Sequence, residues 1–109
     1  MLRVGIIGAS GYAGEELIKL LIRHPDVRLT YLAAKLDKPV LASDLFPYLK
    51  GRLDLPCEIF SLQKAVDKCD LFFLALPHTV SMDIVPKLMK KGKKIIDLSA
   101  DYRLKDTAI

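Results

Sequence analysis

Three glycines near the start of the chain have a spacing suited to binding an anion. Gly8, Gly11 and Gly14 follow a short apolar segment over residues 2–8 and lead directly into a helical pattern. A strand, a glycine turn and a helix start bring unpaired N–H groups and the positive end of the helix dipole together, where a dinucleotide pyrophosphate binds. The sequence therefore predicts a nucleotide cofactor.

Individual residues of this segment have distinct predicted roles. Gly8 makes the tight turn, Gly11 lets a ligand approach the backbone, and Gly14 lets the helix pack on the sheet. Ser10 takes the place of the second glycine in the usual G-x-G-x-x-G pattern and offers a hydroxyl to a phosphate. The residues assigned to cofactor binding are Gly8, Ser10, Gly11, Tyr12, Ala13 and Gly14. The competing interpretation is a glycine-rich turn without a ligand.

A lysine follows the second predicted strand, at the position that distinguishes NAD from NADP. Sites for a dinucleotide without a 2′-phosphate usually present an Asp or Glu about 20 residues beyond the glycine loop. Here Lys35 follows two alanines, and no acid occurs before Asp37. Because a carboxylate would repel a 2′-phosphate and an ammonium attracts it, the sequence predicts NADP(H) rather than NAD(H).

The segment Leu76-Pro77-His78 follows the fourth predicted strand, on the opposite wall of the expected binding crevice. Pro77 ends the strand pairing and turns the backbone toward the cofactor. We therefore assign all three residues to cofactor binding. His78 has a second interpretation as an acid or base, and a third as a residue that shapes the loop or caps the next helix.

A further polar cluster follows the fifth predicted strand. Ser99 lies at the tip of that strand and is assigned to cofactor binding, since ligands of such folds bind at the carboxyl ends of the strands. Arg103 either clamps a phosphate or carboxylate or pairs with Asp97 or Asp101 as a structural strut. The sequence leaves both interpretations open.

Five predicted strands and three predicted helices position these residues. The strands cover about residues 2–8, 28–34, 58–60, 70–76 and 94–98. The helices cover about residues 11–24, 61–68 and 79–91, with one short helical turn near 43–48. Their alternation predicts an α/β fold: a Rossmann-like parallel sheet in the order 3-2-1-4-5, with helices on both faces and a binding crevice between strands one and four.

The composition excludes several other classes of protein. The 109 residues are 51% hydrophobic and 28% charged, which provides a core and argues against disorder. No apolar run reaches the ~20 residues of a membrane span and no signal-peptide pattern opens the chain, so we expect a cytoplasmic protein without a membrane partner. The net charge is +4, and the lysines clustered within residues 90–94 indicate a solvated helix end rather than a nucleic-acid site.

The two cysteines do not suggest chemistry. Cys57 and Cys69 match no metal-ligand spacing, and we predict no metal site. In a cytoplasmic protein both thiols are expected to be reduced. We interpret them as structural residues.

Four segments together resemble one enzyme family. They are Gly-Ala-Ser-Gly-Tyr-Ala-Gly-Glu-Glu-Leu from Gly8, His24-Pro25, Ala-Leu-Pro-His ending at His78, and Asp-Leu-Ser-Ala-Asp-Tyr-Arg-Leu from Asp97. In order and spacing they resemble the N-acetyl-gamma-glutamyl-phosphate reductases of the semialdehyde dehydrogenase superfamily. The likeness covers nearly the whole chain, which corresponds to about the first third of a family member. The resemblance therefore implies a truncated NAD(P)-binding domain over residues 1–109.

The resemblance implies NADPH-dependent reduction of an acyl phosphate to an aldehyde with release of phosphate, in arginine biosynthesis. The family's nucleophile is a cysteine in an Asn-Pro-Gly-Cys setting, which neither Cys57 nor Cys69 matches. The catalytic cysteine, an acid–base histidine and the substrate and dimerisation domain are therefore expected beyond Ile109, and no residue of this chain receives a catalytic role. The resemblance further implies a homo-oligomer for the full-length protein, with the acyl phosphate as its small-molecule substrate, and an inactive chain when residues 1–109 stand alone.

Two other interpretations stay open at this point. A reductase of a carrier-linked aminoadipyl phosphate in lysine synthesis shares these N-terminal signatures. A non-catalytic nucleotide-binding module is the alternative from a different functional class. Aspartate-semialdehyde dehydrogenase fits the segment over residues 99–104 poorly.

Overall fold

Strands and helices alternate along residues 2–98, the part of the chain that this computed structural model describes. The strands are β1 (Leu2–Ile7), β2 (Val27–Ala33), β3 (Val40–Leu41), β4 (Pro56–Glu58), β5 (Leu71–Leu74) and β6 (Lys94–Asp97). The helices are α1 (Tyr12–Leu21), α2 (Ala42–Leu45), α3 (Leu62–Lys68) and α4 (His78–Lys90), with a 3-10 turn at Pro47–Leu49. Within this range the strands form one sheet in the order β3-β4-β2-β1-β5-β6.

The predicted strand order is confirmed, and the sequence missed one strand. All pairings among β4, β2, β1, β5 and β6 are parallel, which reproduces the expected order 3-2-1-4-5. The additional strand β3 pairs antiparallel with β4 at one edge, so the sheet is mixed rather than wholly parallel. A two-residue strand in a stretch interrupted by prolines has no periodicity that a sequence pattern could detect.

Helices cover both faces of the sheet, as predicted. Successive strand residues point to opposite faces, so Ile6 and Ile7 of β1 belong to two different buried clusters. On one face Ile18 of α1 joins the cluster of Ile6. On the other face Ala65 of α3 and Leu88 of α4 join the cluster of Ile7. No helix within residues 2–98 has both the length and the apolar character needed to cross a membrane.

The third predicted strand lies two residues earlier than expected. The sequence placed it at about residues 58–60, whereas β4 spans Pro56–Glu58 and pairs Cys57 with Leu32 and Glu58 with Ala33 of β2. The pairing partner β2 ends at Ala33, so β4 has no neighbour beyond Glu58. Ile59 and Phe60 consequently lie in the loop that follows the strand.

Helix α1 ends earlier than predicted. The sequence placed its end at His24, because the residue before a proline is disfavoured in the α conformation. In the structure α1 ends at Leu21, and the N–H of His24 donates to the Leu21 carbonyl at 3.1 Å. The Nδ1 atom of His24 then accepts from the N–H of Asp26 at 3.1 Å. The helix therefore ends three residues before the position that Pro25 would impose.

Two other helix ends have the residues that such ends favour. The Oγ of Ser61 accepts from the N–H of Lys64 at 3.5 Å and caps α3. Gly92 follows α4 with φ +75°, a left-handed conformation that favours glycine. The neighbouring Lys90 and Lys91 are exposed, as expected for a solvated helix end.

Candidate functional site

The turn between β1 and α1 is tightly held by its own backbone. Gly8 has φ +97°, the conformation that its predicted turn requires. The N–H groups of Gly8 and Ala9 both donate to the carbonyl of Ala33, at 2.7 and 2.9 Å, which attaches the turn to the end of β2. The N–H of Gly11 donates to the Gly8 carbonyl at 3.2 Å and closes the turn.

Two of the three glycines are required by the fold itself. A Cβ atom on Gly8 would lie 2.4 Å from the carbonyl oxygen of Ala75, which follows β5. A Cβ atom on Gly14 would lie 2.3 Å from the Gly8 carbonyl oxygen and 2.7 Å from Cα of Ala9. Both contacts are with backbone atoms, which have little freedom to move. These two glycines allow the turn to pass close to β5 and α1 to pack against the turn.

The fold does not require Gly11 to be a glycine. Gly11 has φ −82°, and a Cβ atom there would meet only the Gly8 carbonyl oxygen, at an ordinary contact distance of 3.6 Å. Gly11 is exposed, and no side chain caps the start of α1. The absence of a side chain at this position therefore opens the outer surface of the turn, where a ligand would approach.

Several N–H groups at the start of α1 are free to bind an anion. No carbonyl or side chain of residues 2–98 accepts from the N–H groups of Ser10, Tyr12, Ala13 or Gly14, while the N–H of Glu15 donates to the Gly11 carbonyl at 2.9 Å. Such unpaired donors, at the positive end of the helix dipole, favour a phosphate or carboxylate. Ser10 and Tyr12 are exposed beside them.

An apolar cavity of about 340 Å³ lies beside this turn, at the carboxyl ends of the strands. Its lining comes from four separate parts of the chain. The lining residues are Ile7, Ala34, Lys35, Ile59, Phe60, Leu76, Val80 and Ile84. A concave apolar surface beside a cluster of free N–H donors is the usual composition of a site for a ligand with a flat ring and a charged group.

Lys35 is the charged residue of this cavity. It is exposed, and among residues 2–98 no carboxylate forms an ion pair with it. Glu58, at the end of the neighbouring β4, instead pairs with Lys64 at 2.8 Å and with Lys68 at 3.9 Å. The carboxylate of Glu58 is thereby paired with other lysines, and the ammonium group of Lys35 is available to a ligand.

The remaining predicted site residues lie in different places, and one of them is outside the described residues. Leu76 lines the cavity, and Pro77 is exposed at the start of α4, where its carbonyl accepts from the N–H groups of Val80 and Ser81. His78 is the first residue of α4. Ser99 lies outside the described residues, as do the polar side chains at positions 101 and 103.

The two cysteines have the structural character that the sequence predicted. Cys57 and Cys69 are fully buried free thiols. Burial, together with the charge of Glu58, raises the pKa of Cys57 to about 11. Burial also raises the pKa of Cys69, whose Sγ lies 3.3 Å from the hydroxyl of Thr30. Thiols held protonated in this way are poor nucleophiles.

Six of the eight residues that line the cavity are not predicted as site residues from the sequence: Ile7, Ala34, Ile59, Phe60, Val80 and Ile84. The sequence places Ile59 and Phe60 within a predicted strand, and Val80 and Ile84 within a predicted helix. The feature that points to Ile59 and Phe60 is their position directly after a strand, at the same edge of the sheet as Lys35. Nothing in the residue types themselves distinguishes these apolar side chains from core residues.

Sequence comparisons place the chain beside known enzymes. Residues 3–109 match the family described as semialdehyde dehydrogenase, NAD-binding domain. The chain is 47% identical over 109 residues to N-acetyl-gamma-glutamyl-phosphate reductase of Desulfotalea psychrophila, and 48% identical over 104 residues to that of Synechocystis sp.. These alignments cover 100% and 95% of this chain but 32% and 30% of the relatives, so the chain spans about a third of their length.

Solved structures share the fold. Aspartate semialdehyde dehydrogenase with NADP from Candida albicans has a TM-score of 0.80 at 22% identity, covering 94% of this chain and 31% of that one. A semialdehyde dehydrogenase NAD-binding protein from Cupriavidus necator, in complex with calcium and NAD, has a TM-score of 0.60 at 24% identity, covering 89% of this chain and 33% of that one. The family resemblance seen in the four sequence segments is thereby confirmed. The chain belongs to the semialdehyde dehydrogenase NAD-binding domain family.

Proposed function

We propose that this chain is the NADP(H)-binding portion of an N-acetyl-gamma-glutamyl-phosphate reductase. The whole enzyme reduces an acyl phosphate to an aldehyde and releases phosphate, a step of arginine biosynthesis in the cytoplasm. Relatives between 40% and 48% identical to this chain have this name. Residues 1–109 are the cofactor-binding domain in this proposal, and the full-length protein is a homo-oligomer.

One observation carries the cofactor-binding part of the proposal. Gly11 lacks a side chain although the fold leaves room for one, and it lies among N–H groups that no described residue occupies. A ligand that approaches the backbone explains both features, since a methyl group at Gly11 would point to where the ligand lies. A glycine-rich turn without a ligand explains Gly8 and Gly14 by packing, and at Gly11 it offers only the general preference of a helix N-cap for glycine over alanine.

Different residues of the chain bind different parts of a dinucleotide in this proposal. A bound dinucleotide supplies the hydride for the reduction. The turn over residues 8–14 holds the pyrophosphate, Lys35 pairs with the 2′-phosphate, and the apolar cavity takes up the base at that end of the cofactor. Leu76 and Pro77 form the opposite wall of the crevice, and His78 and Ser99 are assigned to the same site.

The chain provides no nucleophile for the reaction in this proposal. Cys57 and Cys69 are buried, and burial raises the pKa of both thiols. The catalytic cysteine and the acid–base histidine are accordingly assigned to the two thirds of the relatives' length that this chain does not span. The acyl phosphate substrate binds with those residues.

A cofactor titration tests the assignment of Lys35. We expect NADPH to bind more tightly than NADH, and Lys35→Glu to weaken NADPH binding by about tenfold or more, because a charge-assisted contact is replaced by a repulsion. The measurement is the fluorescence of the reduced nicotinamide during titration of each cofactor. Lys91→Glu is the matched control, because it makes the same charge change at the exposed end of α4 and should leave both affinities within about twofold.

Two results would contradict the choice of NADP(H). One is tighter binding of NADH by the unaltered protein, and the other is unchanged NADPH affinity in Lys35→Glu. The reaction itself is tested separately, with the full-length protein, N-acetyl-gamma-glutamyl phosphate and NADPH. Release of phosphate together with oxidation of NADPH is the expected result, and turnover of a carrier-linked aminoadipyl phosphate in its place would favour the alternative reductase.

A further inference from the structure

A second cavity, of about 240 Å³, lies on the outer side of α1. Two stretches of chain line it: the last part of α1 with the two residues that follow it, and the 3-10 helix with the turn after it. The lining residues are Lys19, Ile22, Arg23, Tyr48 and Arg52, and we call this site the α1 basic cavity. It shares no lining residue with the cavity beside the glycine turn. Its volume is several times the ~30 Å³ that one water molecule takes in the liquid, so a ligand of several atoms fits.

Two arginines in the α1 basic cavity have no charge partner. Among residues 2–98 no carboxylate forms an ion pair with Arg23 or Arg52. The third cation, Lys19, pairs with Glu16 at 3.4 Å and lies 5.5 Å from the centre of the Tyr48 ring. Lys19 is thus paired with Glu16, and Glu15 accepts from the hydroxyl of Tyr48. The two guanidinium groups are the cations of this cavity that no carboxylate of residues 2–98 pairs with.

The part of the cavity contributed by the turn is firmly held. The N–H groups of Arg52 and Leu53 both donate to the carbonyl of Leu49, at 2.7 and 3.0 Å, and Leu49 is fully buried. Gly51 allows this tight turn with φ +81°. The backbone of Arg52 is therefore fixed before any ligand binds, which lowers the entropy cost of binding.

The aromatic wall of the cavity is held as well. The hydroxyl of Tyr48 donates to Glu15 at 3.2 Å, and its ring lies 6.1 Å from the ring of Phe46. Burial and the neighbouring Glu15 raise the pKa of Tyr48 to about 12, so the hydroxyl remains a donor at neutral pH. Together with Ile22, the ring gives the cavity an apolar surface.

The dipole of α1 does not account for this arrangement. Cations in the last turn of a helix are favoured by its dipole, which explains a basic residue such as Lys19 on α1. Arg52 comes from a different segment and lines the same cavity as Arg23, so that two like charges share one cavity and repel each other. A ligand with two negative charges turns that repulsion into attraction.

We propose that the α1 basic cavity binds a phosphate dianion, either free or as the phosphate of a small monoester, between the guanidinium groups of Arg23 and Arg52. Guanidinium groups bind phosphate oxygens through paired N–H donors, and two of them match the charge of a dianion. The wall formed by Ile22 and Tyr48 then contacts the organic part of a monoester. This site is independent of the proposed dinucleotide site and does not rest on the proposed function.

Isothermal titration calorimetry with inorganic phosphate and with phenyl phosphate tests the proposal. We expect saturable binding of phosphate to the unaltered protein, and at least about a tenfold loss of affinity, equal to about 1.4 kcal/mol, in the double variant Arg23→Gln/Arg52→Gln. Arg52→Lys should lose part of the affinity, because an ammonium keeps the charge and loses the paired donors. Tighter binding of phenyl phosphate identifies a monoester as the ligand, and equal or weaker binding identifies free phosphate.

Two control variants locate the binding site. Lys90→Gln/Lys91→Gln removes the same number of charges from an exposed helix end and should keep the affinity within about twofold. Gly11→Ala obstructs the glycine turn and should also keep it. An equal loss in the lysine variant would indicate nonspecific attraction, and a loss in Gly11→Ala would place the phosphate in the glycine turn. Either result, or no saturable binding by the unaltered protein, overturns the proposal whether or not the dinucleotide binds.

Discussion

The two ends of the β1–β5 strand pair differ in whether their polar groups have partners within the described chain. At the amino end the guanidinium group of Arg3 donates to the carboxylate of Asp70 at 3.0 and 3.2 Å, and to the carbonyl of Asp67 at 3.1 Å. The N–H of Asp70 in turn donates to the carbonyl of Arg3 at 2.9 Å. Every charged group in this contact has a partner within the chain.

At the carboxyl end of the same pair the chain leaves polar groups without partners. The Gly8 turn presses against the carbonyl of Ala75 with no space for a side chain. The N–H groups of Ser10, Tyr12, Ala13 and Gly14 have no acceptor among residues 2–98. Lys35 has no ion-pair partner in that range. The polar groups at this end are therefore available to a ligand.

The difference separates groups that hold the fold from groups that serve a ligand. A polar group with an internal partner contributes to the fold, and its loss is felt in stability. A free group beside a cavity contributes little to the fold, and its loss is felt in binding. The glycine turn contains both kinds within seven residues, since Gly8 and Gly14 are required by packing and Gly11 is not.

The largest effect is expected for Gly14→Ala. The added methyl group would lie 2.3 Å from the Gly8 carbonyl oxygen, so either α1 or the turn must move. We expect a loss of about 3 kcal/mol or more in the free energy of unfolding, which exceeds the gain of about 1 kcal/mol from replacing glycine with alanine in a helix. Urea denaturation followed by circular dichroism measures it.

Gly8→Ala is expected to have a similar effect for a second reason. Alanine at φ +97° is strained, and its methyl group would lie 2.4 Å from the Ala75 carbonyl oxygen. Gly51→Ala is the matched control, because Gly51 also has a positive φ and no atom lies within 4 Å of its added Cβ. If Gly8→Ala cost no more stability than Gly51→Ala, close packing against β5 would not be the reason for this glycine.

A smaller effect, on binding alone, is expected for Gly11→Ala. Since the added methyl group has an ordinary contact of 3.6 Å, the urea midpoint should stay within the error of the native value. The affinity for NADPH should fall by about tenfold or more, because the methyl group occupies the surface that the pyrophosphate approaches. A loss of stability as large as that of Gly14→Ala would show that Gly11 does not differ from the other two glycines. Unchanged affinity for NADPH would show that the ligand does not bind at this surface.

Much of the fold could be predicted because general rules constrain it. Alternating strands and helices with right-handed crossovers leave few possible sheet orders, and the order around β1 followed from them. The boundaries depended on partners that the sequence does not identify. Pairing with β2 moved β4 to Pro56–Glu58, and α1 ended at Leu21 although the proline signal lay at position 25.

The site was predictable where a residue is unusual for its place, and not elsewhere. Glycines at a fixed spacing and a lysine in the place of an acid stand out in a sequence, so Gly11 and Lys35 could be predicted as site residues from the sequence alone. Ile59 and Phe60 were not found, because an apolar residue that lines a cavity has the same chemistry as one in the core. Which apolar residues are left beside a cavity is decided by the packing of distant segments.

The smallest effect is expected at the amino end, in Asp70→Asn. The hydrogen bond from Arg3 lowers the pKa of the Asp70 carboxyl group in the folded protein. A depressed pKa means that the pair stabilises the fold above the unfolded pKa of about 4, and that this contribution disappears as the pH falls through the lower, folded value. Because both side chains are close to half exposed, the effect at neutral pH is small.

The measurement is the difference in melting temperature between the native chain and Asp70→Asn, followed from about pH 7 to about pH 3. We expect a small positive difference that stays constant from about pH 7 to about pH 5 and shrinks as the pH falls through the unfolded pKa of about 4 toward the lower, folded value. Asp83→Asn controls for the loss of one carboxylate, since Asp83 pairs with Lys87 on the exposed face of a helix at 3.5 Å. A difference that stays constant down to about pH 3, or that Asp83→Asn reproduces, would show that the Arg3–Asp70 contact does not stabilise this end of the sheet. The distinction between the two ends would then rest on the carboxyl end alone.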